Sequence, residues 1–314
     1  MRARLARRML MAGLAVFAAA PLLADSRLEK TLKLEPGGSL RLDTDLGSVA
    51  VTGRAASDVR VVVTSRRELD DLLTFNFEEG THAVTITARR KHKGWFGDGD
   101  SRVRYEIEVP AETALDIHTS GGRIAIERIR SRSKLDTSGG GIEARDMVGD
   151  LDANTSGGPI KLGDIKGRSR VETSGGGIEG TNLDGPLSAE TSGGSIRLDR
   201  VTGDIRATSS GGGIHIAEAG GRIEAETSGG GIEASFAKGN ARGGSLETSG
   251  GGIEVAIDPE VGFEIDAHGN SVSTDVPLRV VGKVSRESLR GSLGKGGEML
   301  RLHTSGGSVR IRSI

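Results

Sequence analysis

The sequence contains no cysteine, one tryptophan and one tyrosine in 314 residues, and aromatic side chains make up only 3% of it. The missing thiols exclude disulfide staples, thiolate metal sites, a cysteine nucleophile and the lipid-bearing cysteine of a lipoprotein anchor. With so few aromatic rings, any core has to be assembled from Ile, Val, Leu, Ala and Thr. An excess of one charge is missing too. The 42 basic and 43 acidic residues leave a formal charge of −1, which gives no electrostatic reason to expect nucleic acid as a partner. After residue 24 no apolar run reaches the roughly 20 residues of a membrane-spanning helix.

What is abundant is glycine, 50 residues of it. Gly-rich chains without a collagen triplet are often disordered, but here the glycines recur on a period. The phrase Thr-Ser-Gly-Gly, one small residue, then Ile returns as LDTSGGGIEA, NTSGGPIKL, AETSGGSIRL and AETSGGGIEA. Its first residue falls at Thr119, Thr137, Thr155, Thr173, Thr191, Ser209 and Thr227, always 18 apart, and then at Thr248 after a step of 21. A degraded copy, DAHGNSV, and a last one, HTSGGSVRI, follow. A fixed period with one supersecondary unit per repeat marks a solenoid.

Five residues past each Thr stands Ile124, Ile142, Ile160, Ile178, Ile196, Ile214, Ile232 and Ile253. Apolar residues also recur two places after these and two places before the Thr, with charged or polar residues between. Alternation with period two is strand behaviour with one face buried. Parity then turns the corner residues Thr137, Thr155, Thr173, Thr191, Thr227 and Thr248 inward. The reverse parity would bury the column His118, Asp136, Asn154, Glu172, Glu190, Thr208, Glu226 and Glu247, at prohibitive cost. No 3.6-residue period competes, and glycine inside a helix costs about 1 kcal/mol per residue. The expected fold is all-β: a single-stranded parallel β-helix of 18-residue coils, each strand stacked on its counterpart in the next coil. The corner glycines are expected to supply positive φ and close backbone approach.

Four regions follow. Residues 1–24, with four arginines before the apolar run Met9–Ala20, read as a secretory signal peptide, and the pair Arg7-Arg8 loosely resembles a twin-arginine signal. Residues 25–113 read as an irregular N-terminal solenoid and cap, 114–257 as the regular repeats, and 258–314 as irregular coils and a C-terminal cap. Export to the periplasm or cell surface is the expectation.

The strands SDVRVVVTS and YEIEVP, the iterated TSGGGIEA coils and the ending LRGSLGKGGEMLRLHTSGGSVRI are similar to the bacterial putative adhesin family. That family is a domain-of-unknown-function group of exported proteins related to GIN-type adhesin head domains. The resemblance covers nearly the whole chain after the leader. It implies a right-handed β-helix and supplies no catalytic residues; the absence of a strict hexad also argues against the left-handed class.

The repeat corner reads as architecture. A specific contact is expected instead at the segment 88–101, where Arg89, Arg90, Lys91 and Lys93 precede Trp95 and Phe96. Cations beside amphipathic rings suit anionic glycan, lipopolysaccharide or a membrane surface; the competing reading has Trp95 and Phe96 covering a flank of the solenoid. Glu172 with Glu179, Glu226 with Glu233, and Glu247 with Glu254 flank the bends. They read as a solvated charged edge, with a Ca²⁺ ladder as the weaker alternative and no other cofactor. His118, His215, His268 and His303 fall in separate coils, none spaced with a nucleophile. The function expected is therefore a non-enzymatic envelope binding or display scaffold for an unidentified glycan or protein. The alternatives are a pectinase-like polysaccharide enzyme and an envelope-stress signalling or scaffolding component.

Overall fold

The computed structural model describes residues 26–91, 102–280 and 285–314. The expected leader, and Lys93, Trp95 and Phe96 of the expected contact segment, lie outside the described residues. Strands fill most of the described chain, with one short helix, Leu69–Leu72. They form two sheets, of 15 and 14 strands. The 15-stranded sheet holds the strands that run into the Thr-Ser-Gly-Gly corner, and is called the entry sheet here. The strands that leave the corner make the exit sheet.

In the repeats the entry strands Ser133–Thr137, Leu151–Thr155, Ser169–Thr173 and Leu187–Thr191 lie parallel, with Thr137, Thr155, Thr173 and Thr191 opposite one another in turn. On the exit side Ile142–Val148, Ile160–Lys166, Ile178–Asp184 and Ile196–Val201 stack the same way, pairing Ile142, Ile160, Ile178 and Ile196. The isoleucine column begins at Ile124 and runs on through Ile214, Ile232 and Ile253, and none of its members is more than 1% exposed. The inner faces of both sheets share one continuous apolar core. Its few described aromatic rings gather toward the two ends: Phe75, Phe77 and Tyr105 at one, Phe236 and Phe263, 5.6 Å apart, at the other.

The six exit strands from Ile124–Ile129 to Ile214–Ala219 each contain one left-handed residue. Arg128, Asp146, Asp164, Asn182, Arg200 and Glu218 have φ between 46° and 57°. This residue breaks the two-residue alternation, so the next side chain (Ile129, Met147, Ile165, Leu183, Val201 or Ala219) turns back into the core. The exposed column is laced along the axis: Asn182 Nδ2 donates to Asp164 Oδ1 at 2.9 Å and Arg200 Nε to Asn182 Oδ1 at 2.7 Å. Among the described glycines of these coils, positive φ falls at Gly149, Gly167 and Gly185 in the closing turn. That corrects the expectation for the corner, whose glycines are needed for space and not for φ.

Stacking follows chain order only in the middle. The strand Ser39–Thr44 lies between Ala83–Arg90 and Ala114–Thr119, and Ser48–Arg54 lies between Arg104–Pro110 and Ile124–Ile129. At the other end Glu298–Thr304 lies between Gly244–Thr248 and Phe263–His268, and Ser308–Ser313 between Ile253–Ile257 and Ser271–Thr274. The first and last coils are thus inserted into the pile, and the expectation that every coil stacks on its sequence neighbour fails there. Antiparallel strands cover the ends. Ser26–Lys33 pairs with Asp58–Ser65, Leu73–Glu79 with Ala83–Arg90, and Ser288–Leu293 with both Phe263–His268 and Leu278–Val280.

Candidate binding surface

The corner is built on a two-way hydrogen bond. The Thr173 hydroxyl donates to the Gly158 carbonyl of the preceding coil at 2.9 Å and accepts from the Gly176 amide of its own corner at 3.2 Å. Thr137, Thr155, Thr191, Thr227 and Thr248 repeat the pattern. Ser209 keeps it with its own hydroxyl. These oxygens are buried and their donors and acceptors are used, so the Thr column offers nothing to a ligand.

Surface chemistry begins one position further out. On the exit sheet the third corner residue is Gly213, Gly231 and Gly252, between Ser195 and Ser308. Beside this low floor stand Arg197, His215, Glu233, Glu254 and Arg310, and together they shape a groove of about 670 Å³. His215 Nδ1 lies 3.1 Å from Glu233, and Arg312 pairs with Glu254. Arg197 and Arg310 have no carboxylate partner among the described residues, so the groove is cationic toward both ends and acidic between.

A second groove, of about 690 Å³, lies on the entry sheet. Its rungs alternate in charge: Arg41, Asp116, Lys134, Asp152 and Arg170 stand opposite one another on successive strands. Alternation replaces like-charge repulsion by attraction at each step, worth little per exposed pair. The bend glutamates behave likewise on the exit side, where Lys161 lies 3.0 Å from Glu179. On the entry side Glu172 faces Glu190 and Glu226 faces Glu247, with Arg170 3.9 Å from Glu172. Glu143 departs from the outward column. Arg123 and Arg145 both pair with it, and its side chain is only 10% exposed. Among the described residues no group of three or more His, Asp or Glu is gathered as a metal site.

The described part of the expected contact segment is engaged within the chain. Arg89, at the end of the strand Ala83–Arg90, forks onto Asp43 and reaches Asp45 at 3.0 Å. The Arg90 amide donates to Asp45 at 3.0 Å, and Lys91 reaches the Asp70 carbonyl. Burial pushes the Asp45 carboxyl up, but the Arg90 amide and the Arg89 guanidinium outweigh it and hold it below the ordinary carboxylate value. Arg89 is raised in turn, chiefly by its hydrogen bonds to Asp43 and Asp45. These cations hold the base of the segment to the first coil. Sequence reasoning missed this pairing, because Asp43 and Arg89 meet only when Ser39–Thr44 is stacked beside Ala83–Arg90, outside the regular period.

Two sheets of repeated parallel strands, a largely apolar interior edged by a buried Thr column, and charged grooves outside define a solenoid-like scaffold. The chain belongs to the Toastrack family of unknown function, DUF4097, whose model matches residues 39–312. No curated protein matches it. Among solved structures it is similar to one described as a putative lipid binding protein from Parabacteroides distasonis, at 16% identity and a TM-score of 0.41, over 90% of this chain and 96% of that one. It is also similar to a putative adhesin from Bacteroides fragilis, at 12% identity and 0.37, over 92% and 97%. A putative cell adhesion protein from Clostridium sporogenes matches at 10% identity and 0.28, over 92% and 100%.

Proposed function

We propose that this chain is an exported, non-enzymatic β-helix of right-handed 18-residue coils that serves as a binding and display scaffold in the bacterial envelope. Its partner is a charged glycan or protein laid along the solenoid axis. The observation that supports this most is the pair of grooves whose charged rungs repeat strand after strand. A surface of this kind gives each partner unit the same weak contact many times, and affinity then grows with partner length.

Cell fractionation and a glycan array probed with the purified protein test the reading. Retention in the envelope fraction, and binding to acidic polymers that strengthens with chain length, are the expected results. A cytoplasmic protein, or depolymerisation of an acidic polysaccharide abolished by a single carboxylate substitution, would overturn it. Arg89→Ala and Arg90→Ala then separate the contact segment from the grooves. If the grooves carry binding, loss follows Arg41→Ala with Arg170→Ala, or Arg197→Ala with Arg310→Ala.

A further inference from the structure

Insertion of the last coil brings together two histidines that the sequence keeps 35 positions apart. His303 on Glu298–Thr304 stands directly opposite His268 on Phe263–His268 in a parallel pair, so both rings project from the outer face of the entry sheet. Their ring centres are 6.3 Å apart, and His268 has about half of its side chain exposed. Elsewhere in this outward column the repeats carry Asp, Asn, Glu, Thr or the lone His118. Among the described residues only this rung brings two imidazoles together. The neighbouring rung on the other side of His303 is Glu247.

We propose that His268 and His303 form a two-imidazole clamp for a divalent transition-metal ion of the zinc or copper type. Imidazole nitrogen suits these ions. Two rings sharing an ion at a metal–nitrogen distance of about 2.0–2.1 Å have centres on the order of 5 Å apart, so the pair must close by roughly an ångström. Exposed side chains reach that by small torsional changes. Asp266 supports the arrangement by lying 2.9 Å from His268 Nε2, the carboxylate–imidazole contact that orients metal-binding histidines and leaves the other nitrogen for the ion. Asp266 is itself anchored by Arg290 at 2.6 Å. Glu247 adds negative charge one rung away. With two protein ligands the ion retains open positions for water or for oxygen donors of a bound partner. The clamp also ties the inserted last coil to the coil outside it.

The test is calorimetric titration of the untagged, chelator-stripped full chain with ZnCl₂ and with CuCl₂, together with thermal melting. One equivalent of ion is expected to bind and to raise the melting temperature. His303→Asn and His268→Asn should each weaken binding about tenfold or more while leaving the metal-free melting temperature within about 1 °C of the parent. His215→Asn and His118→Asn should leave binding unchanged. Binding should weaken as pH falls, because protons compete with the ion for imidazole nitrogen. Unchanged affinity in the His268→Asn/His303→Asn double variant, loss of binding in His215→Asn or His118→Asn, or no binding of either ion would overturn the proposal.

Discussion

The second corner glycine leaves no room for a side chain. A Cβ on Gly176 would stand 2.1 Å from the Gly158 carbonyl oxygen, whereas on Gly175 the nearest atom would be 3.2 Å away. Gly176→Ala is therefore expected to destabilise by about 3 kcal/mol or more, and Gly175→Ala by about 1 kcal/mol, measured by denaturant unfolding. Glu218 carries the opposite opportunity. It holds a left-handed conformation with φ of 52° and no side-chain hydrogen bond or ion pair among the described residues. Since that conformation costs a non-glycine residue roughly 1–2 kcal/mol, Glu218→Gly should stabilise by up to about 1 kcal/mol after the added freedom of the unfolded chain is subtracted. Ser169 is another such position. Its hydroxyl is buried without a hydrogen-bond partner, in a column otherwise held by residues such as Leu151 and Leu187. Ser169→Ala should raise the melting temperature, because an unpaired buried hydroxyl costs about 1–3 kcal/mol.

At the level of strands, the connection between Ala83–Arg90 and the first coil depends on ionised carboxylates. Asp45 has its pKa lowered in the folded protein, so its contribution is complete above its unfolded value of about 3.9 and is lost as pH falls through the folded value. The melting temperature should hold from pH 7 to 5 and drop below about pH 4, with a shallower acid slope in Asp45→Asn. Strand identity and facing in the repeats are legible in the sequence, because a column such as Ile142, Ile160 and Ile178 records both the alternation and the register. The left-handed column is less so. Asp146, Asp164 and Asn182 hint at it through their tolerance of positive φ, but Arg128, Arg200 and Glu218 in the same role carry no such mark. The grooves were hidden for a further reason: a trough exists only where a small corner residue and a long charged neighbour stack over several coils.

For the molecule as a whole, coil order was the part that the sequence concealed. Every copy of the motif fits every gap equally well, so HTSGGSVRI reads as a terminal coil when it is an internal one. Thr304 shows this directly, since its hydroxyl donates to the Gly251 carbonyl at 2.6 Å across 53 residues of chain. Removing residues 298–314 would leave open strands on both sides of the gap. Such a truncation is expected to abolish cooperative unfolding, followed by circular dichroism, where loss of a simple end coil would only lower the midpoint. Insertion also sets how the molecule answers force. A pull on the last coil must shear two ladders at the same moment, one on each flank, where an edge strand would unzip bond by bond. Tension applied at the last coil therefore meets two ladders loaded in parallel, and the force needed to extract Ser308–Ser313 should exceed that needed to peel the edge strand Ser26–Lys33, which has a neighbour on one side only.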